Sequence, residues 1–230
     1  MGKRDFSAES PMNYEQKCLC VLTLDVSGSM AGKAIDELNQ GLQNFYDEIK
    51  QDVVTANRLE ISIITFNDKI ECVLEPALIA NFTMPILKAG GSTKLVDGVQ
   101  EAIAKVHARK AWYKQTGQPY YRPWIILMTD GEPDTDQDIP GLAKEIHIAT
   151  DNGNSQTGKK YVFYAIGVED ANMKMLSLVS NPKMPPAKMQ GLKFSAFFKW
   201  LSASMSSVTS SKDGQLTTAD LADPHDWMKV

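Results

Sequence analysis

Residues 20–38 read CVLTLDVSGSMAGKAIDEL. An apolar run enters a turn rich in glycine and serine, and an amphipathic stretch leaves it. A strand feeding a helix through a polar turn is the unit of a parallel sheet, and such turns carry the chemistry of α/β proteins. The turn between Asp25 and Lys33 has three possible uses: it cradles a phosphate, holds a metal, or only connects two elements. Counting tests the first. A phosphate loop needs G-x-x-x-x-G-K-[ST], with backbone amides around the phosphates, a lysine on them and a hydroxyl on magnesium. Here Gly28 and Gly32-Lys33 are separated by three residues, and Ala34 stands where the hydroxyl belongs. The dinucleotide pattern G-x-G-x-x-G is absent as well.

Outward from this stretch, strand and helix patterns alternate. KCLCVLTLD (17–25) reads as a buried strand, and residues 34–53 carry Ile35, Leu38, Leu42, Phe45 and Ile49 as a helical stripe. LEISIITF (59–66) and KIECVLE (69–75) are separated by the short polar break Asn67-Asp68, which predicts a hairpin and so an antiparallel strand. KLVDGVQEAIAKVHARKAW (94–112) places Leu95, Val99, Ile103 and Val106 on one helical face. PWIILMTD (123–130) has the near-continuous apolarity of a strand buried on both sides. A helix near residues 139–153, a strand at 160–168, a short helix around NMKMLSLVS and a last helix at 194–208 complete the order. The expectation is a three-layer α/β fold: a mostly parallel central sheet with one antiparallel edge strand and helices on both faces. Residues 1–16 read as an N-terminal extension, 17–209 as the domain, and 210–230 as a polar tail. With its isolated Leu216, Leu221 and Trp227, that tail reads first as disordered and second as a docking segment.

Composition excludes several classes. The 230 residues carry 24 basic and 28 acidic side chains, a net charge of -4, which offers no electrostatic footprint for nucleic acid. No segment approaches ~18 uninterrupted apolar residues and the first residues lack a secretory apolar run, so the chain reads as cytoplasmic, with no membrane insertion. Cys18, Cys20 and Cys72 are too few for a disulfide framework, and the first two share a strand face as buried thiols. His107, His147 and His225 are scattered, and neither His-Glu-x-x-His nor Gly-x-Ser-x-Gly occurs, so catalysis finds little support.

Ligands on such sheets bind beyond the carboxyl ends of the strands. Three places qualify: Asp25-Val26-Ser27-Gly28-Ser29 after the first strand, Gly90-Gly91-Ser92-Thr93 before a long helix, and Thr129-Asp130-Gly131 after the fourth strand. Asp25, Ser27 and Ser29 supply a carboxylate and two hydroxyls at alternate positions, hard oxygen ligands suited to Mg²⁺. Alone, this triplet could be only a capped polar turn. Gly90 and Gly91 are expected to allow positive φ and close approach.

Asp-x-Ser-x-Ser, a threonine in a glycine-rich loop and Thr-Asp-Gly, in this order, resemble the von Willebrand factor A domain and its metal-ion-dependent adhesion site. The resemblance covers residues 17–209, and with TDGEP (129–133) it is most similar to the cytoplasmic bacterial TerY and YegL-like members associated with tellurium-resistance and stress-response operons. It implies that Ser27, Ser29 and Thr93 ligate a divalent cation directly, Mg²⁺ first and Mn²⁺ or Ca²⁺ as alternatives, with Ser92 the second choice for Thr93. Asp25 and Asp130 would act mainly through waters. It further implies a non-enzymatic interaction module whose protein partner supplies an Asp or Glu carboxylate to the metal. An accessory subunit of an AAA-ATPase chelatase or remodelling complex is the alternative, its ATPase in another chain.

Two other features have competing uses. Asp134, Asp136, Asp138 and Glu145 match calcium-hand positions, but Ile139 stands where glycine is needed and Pro140 follows, so Asp138 is expected to cap a helix and the other acids to be solvated or offered to a partner. AWYKQTGQPYYRPW (111–124) reads first as aromatic packing under the sheet, second as a docking patch.

Overall fold

The computed structural model of the protein describes residues 11–130, 132–151, 153, 156–210, 223–224 and 226–229. The expectations placed on residues 1–10, Gly131, Leu216, Leu221 and His225 lie outside these. Six strands form one sheet: β1 (Cys18–Asp25), β2 (Leu59–Phe66), β3 (Ile70–Leu78), β4 (Trp124–Thr129), β5 (Val162–Gly167) and β6 (Ala187–Lys188). They are ordered β3-β2-β1-β4-β5-β6, parallel except for the β2–β3 pair. The hairpin predicted at Asn67-Asp68 supplies that antiparallel pair, and it forms one edge of the sheet.

Among the described residues six helices cover the sheet: α1 (Lys33–Gln51), α2 (Val53–Arg58), α3 (Leu95–Thr116), α4 (Ile139–Thr150), α5 (Met173–Val179) and α6 (Phe194–Ser210). The strand period of two sorts the core. Cys18, Cys20, Leu22 and Leu24 of β1 face α1 and α6, where they join Leu38, Phe45, Phe197 and Leu201. Leu19 and Val21 face the other way, toward Val99 and Val106 of α3 and Leu142 of α4. The three-layer arrangement expected from the sequence is therefore present. No helix among the described residues is long and apolar enough to cross a membrane.

Two differences have physical causes. The single helix expected over 34–53 is two, because Asp52 leaves helical geometry (φ −91°, ψ 98°) and its carboxylate accepts from the Val54 and Thr55 amides, starting α2 afresh. Strand β6 was not expected, since two residues show no periodicity; its register comes from pairing with β5. The aromatic segment is packed, with Trp112, Tyr113, Tyr121 and Trp124 buried, as the first of its two readings expected.

The described end of the tail docks on its own domain. Trp227 is fully buried, 5.0 Å from the Phe197 ring and 5.2 Å from Trp200. The Gln190 amide donates to the Trp227 carbonyl at 2.7 Å and the Lys229 amide to the Lys188 carbonyl at 2.8 Å, so the tail adds an antiparallel bridge beside β6. Trp227→Ala is expected to lower stability by about 2–3 kcal/mol in urea titration, the worth of burying one large apolar side chain. Faster hydrogen exchange at the Gln190 amide would locate the loss at this contact.

Candidate functional site

The chain steps from β1 to β2 on one side and later to β4 on the other. The carboxyl ends of β1 and β4 therefore mark the point where strand order reverses, the expected place for a ligand. Asp25 is the last residue of β1, and Asp130 follows β4 directly. Past Asp25 the chain bends through a short 3-10 turn, Gly28–Met30, before α1 begins.

Hydrogen bonds join these residues. The Asp25 carboxylate accepts from the Ser27 amide at 2.8 Å and from the Thr129 hydroxyl at 2.5 Å. The Ser27 and Ser29 hydroxyls are 3.0 Å apart, and Ser29 donates to Asp130 Oδ1 at 2.9 Å. Asp25, Ser27 and Asp130 are buried, while Ser29 is open to solvent.

The loop bearing Thr93 is fixed to both neighbours. The Gly28 amide donates to the Gly91 carbonyl at 3.0 Å, the Gly90 amide to the Val26 carbonyl at 2.8 Å, and Asn67 Nδ2 to the Gly90 carbonyl at 2.7 Å. On its other side the Thr93 amide donates to Asp134 Oδ1 at 3.2 Å, and the Asp134 amide returns a bond to the Thr93 carbonyl at 3.0 Å. Thr93 is buried, Ser92 exposed, and the Thr93 hydroxyl has no hydrogen-bond partner within the protein among the described residues. Gly91 sits at φ +86°, and a Cβ there would lie 2.1 Å from Asp68 Oδ1. Gly90 needs neither a positive φ nor the space, so only one of the two glycines has the expected role.

Electrostatically the site is negative. Burial pushes the Asp25 carboxyl up to about 6; hydrogen bonds from Ser27 and Thr129 oppose this, and the charge of Asp130 adds to it. Burial also raises the Asp130 carboxyl, against the bond from Ser29. Neither carboxylate has a lysine or arginine partner among the described residues. Buried carboxylates are expensive without a counter-charge, and a cation is the group that removes the cost. The donors are two carboxylates and three hydroxyls, all hard oxygens, which suits Mg²⁺. Among the described residues no group of three or more His, Cys, Asp or Glu could hold a metal, so this set depends on its hydroxyls.

Thr129, Asn67 and Asp134 hold the site residues and were not expected to. Asp134 in particular is neither freely solvated nor a calcium-hand ligand; it pins Thr93 across 41 positions of sequence. Asp138 caps α4 as expected, accepting from the Gly141 amide at 2.9 Å.

Comparison with known proteins agrees with this architecture. The model of the von Willebrand factor type A domain family matches residues 20–190, and the chain belongs to that family. Domains of this family commonly serve in adhesion or protein interaction. No curated protein sequence matches the chain. Among solved structures it is similar to the pilus adhesin SpaC from Lactobacillus rhamnosus GG, with TM-score 0.62 and 16% identity over 86% of this chain and 32% of that one. The ArnB paralog VWA2 from Sulfolobus acidocaldarius gives 0.53 and 17%, over 83% of this chain and 45% of that one. The vWF domain of the type V pili tip protein Mfa5 from Porphyromonas gingivalis gives 0.56 and 11%, over 88% and 99%. The chain thus spans less than half the length of the first two. At these identities the likeness is one of fold.

Proposed function

We propose that the protein is a non-enzymatic, metal-dependent interaction module. Asp25, Ser27, Ser29, Thr93 and Asp130 would hold a divalent cation, Mg²⁺ by preference, and a protein partner would be bound through an Asp or Glu carboxylate. The carrying observation is the hydrogen-bonded line from Asp25 through Ser27 and Ser29 to Asp130, buried except at Ser29 and with no basic partner for its carboxylates among the described residues. When bound, the cation supplies an electrophilic coordination position for an oxygen ligand.

The residues divide the work by burial. Asp25, fixed at both oxygens by Ser27 and Thr129, contributes charge from within. Ser29, exposed at the mouth, and Thr93, with an uncommitted hydroxyl, face the side from which a ligand arrives. Because the loops are tied to one another by backbone bonds, little ordering is left to occur on binding. The cellular setting we propose is a cytoplasmic bacterial stress or tellurium-resistance assembly, supported by the TDGEP resemblance and by three free thiols.

Wild-type protein is expected to melt higher in Mg²⁺ than in chelator. At ten times Kd the gain is about 1.4 kcal/mol, which for a chain of this size is about 3–6 °C. Thr93→Ala removes one neutral ligand and is expected to retain a weakened shift. Capture of a partner by the immobilised protein should need the cation, and capture indifferent to chelator would move the interface elsewhere. A melting curve unmoved by millimolar Mg²⁺ would count against the reading itself.

A further inference from the structure

Helix α3 begins without a cap of its own. Lys94 stands at its N-cap, and a lysine side chain carries no acceptor for the amides of the first turn. Acceptors come instead from the loop between β4 and α4, 41 positions later in the sequence. Gln137 Oε1 accepts from the Val96 amide at 2.8 Å, and Asp134 Oδ1 from the Thr93 amide at 3.2 Å. The two form one unit, because the Gln137 amide donates to the Asp134 carbonyl at 3.2 Å. Of the alternating acids in this loop, Asp134 is half-buried, whereas Asp136 and Asp138 are exposed and Asp138 serves α4.

Thr93 is held on both sides of its Cα. Asp134 accepts from its amide, and the Asp134 amide donates to the Thr93 carbonyl at 3.0 Å. The next amide, of Lys94, donates to the Asn67 carbonyl at 3.0 Å. Fixing the two flanking peptide planes fixes φ and ψ, and with them the direction of the Cα–Cβ bond. What remains is χ1, which β-branching restricts. The hydroxyl so placed has no partner within the protein among the described residues. Its position is determined while its lone pairs stay available.

We propose that Asp134 and Gln137 are positioning residues that make the candidate metal site prefer Mg²⁺ to Ca²⁺, by holding Thr93 where a small octahedral shell needs an oxygen. The inference rests on the metal reading above. Mg²⁺ demands near-ideal octahedral geometry at about 2.0–2.1 Å, whereas Ca²⁺ accepts about 6–8 oxygens at about 2.3–2.6 Å in adaptable arrangements. A threonine released from its two tethers can still serve the larger ion. For the smaller one, a displaced oxygen is a lost ligand.

The test titrates the full chain calorimetrically with Mg²⁺ and, separately, with Ca²⁺. Wild type is expected to favour Mg²⁺. Asp134→Ala should weaken Mg²⁺ about tenfold, the effect of losing a group that orients a ligand, and Ca²⁺ less than about threefold. Asp134→Asn keeps the Oδ1 acceptor and should restore the wild-type preference; if asparagine lost it as alanine does, the carboxylate charge and not the bond would be at work, and the proposal would fall. In a Thr93→Ala background Asp134→Ala should change the preference no further, since no hydroxyl is left to place. Hydrogen exchange in chelator reads the tether without metal: the Thr93 amide should exchange about tenfold faster in Asp134→Ala and at the wild-type rate in Asp134→Asn. Should Asp134→Ala fail to fold, Gln137→Ala, which leaves Asp134 in place, is expected to lower the preference about threefold. Absence of binding of either cation to wild type would overturn the metal reading and this inference together. Wild-type binding without a preference for Mg²⁺, or a preference unchanged in the alanine variants, would overturn this inference alone.

Discussion

Asp25→Asn is expected to abolish the Mg²⁺-dependent rise in melting temperature while leaving the metal-free fold at least as stable as wild type. Asp25 is completely buried at the end of β1. Its carboxylate has two hydrogen bonds, from the Ser27 amide and the Thr129 hydroxyl, and no basic partner among the described residues. Asparagine keeps an oxygen for the Ser27 amide and offers an N–H to Thr129 Oγ1, so the local bonds survive in altered polarity. What disappears is a buried negative charge, costly in the absence of a counter-ion. The cation, however, loses the most deeply placed charge of its site. The shift of about 3–6 °C expected of wild type at ten times Kd should therefore fall to zero. Melting followed by circular dichroism, in Mg²⁺ and in chelator, reads both effects at once. If the variant kept the full shift, the cation would have to sit away from the β1 and β4 ends.

Much of this was legible in the sequence because it is local. An apolar run, Asp-x-Ser-x-Ser and a helical stripe lie within about twenty residues of one another, and a strand end fixes which way its last side chains point. The hairpin at Asn67-Asp68 was legible for the same reason. The bonds that position the site are different in kind. Asp134 reaches Thr93, Asn67 reaches the Gly90 carbonyl, and Thr129 reaches Asp25 over 104 positions. Asp134 and Asn67 are polar residues in polar loops and Thr129 is a polar strand end, and nothing in the neighbourhood of any of them distinguishes a long-range bond from solvation. Trp227 shows the same limit from the apolar side. One tryptophan in a polar tail has no periodicity to reveal a docking face, which is formed by Phe197 and Trp200 some thirty positions earlier. The break at Asp52 was hidden because the apolar stripe of α1 runs up to it and only the carboxylate's bonds to the next amides end the helix.

Glu60→Gln is expected to cost about 3–5 kcal/mol, the penalty for breaking a buried ion pair from one side. Glu60 lies near the start of β2 and accepts from Arg109 Nε at 2.9 Å, Arg109 Nη2 at 2.7 Å and the Tyr113 hydroxyl at 2.5 Å. Both partners of the pair are nearly inaccessible, and the guanidinium lies 4.0 Å from the centre of the Trp112 ring. A carboxamide turns one of the two acceptor oxygens into a donor facing the guanidinium, and it leaves the arginine charge desolvated. Arg109→Met should be comparably damaging, because it strands the carboxylate with Tyr113 alone. The double variant Glu60→Gln with Arg109→Met removes both charges and is expected to cost well below the sum of the two single losses, a coupling that urea titration of the cycle measures. Parallel pairing sets Leu19 beside Glu60 and Asp25 beside Phe66. The ion pair is thus six positions, about 20 Å along the strands, from the metal loops. Glu60→Gln should accordingly lower the melting temperature in chelator and in Mg²⁺ alike, with the increment between them unchanged. A diminished increment would mean that the two ends of the sheet are coupled.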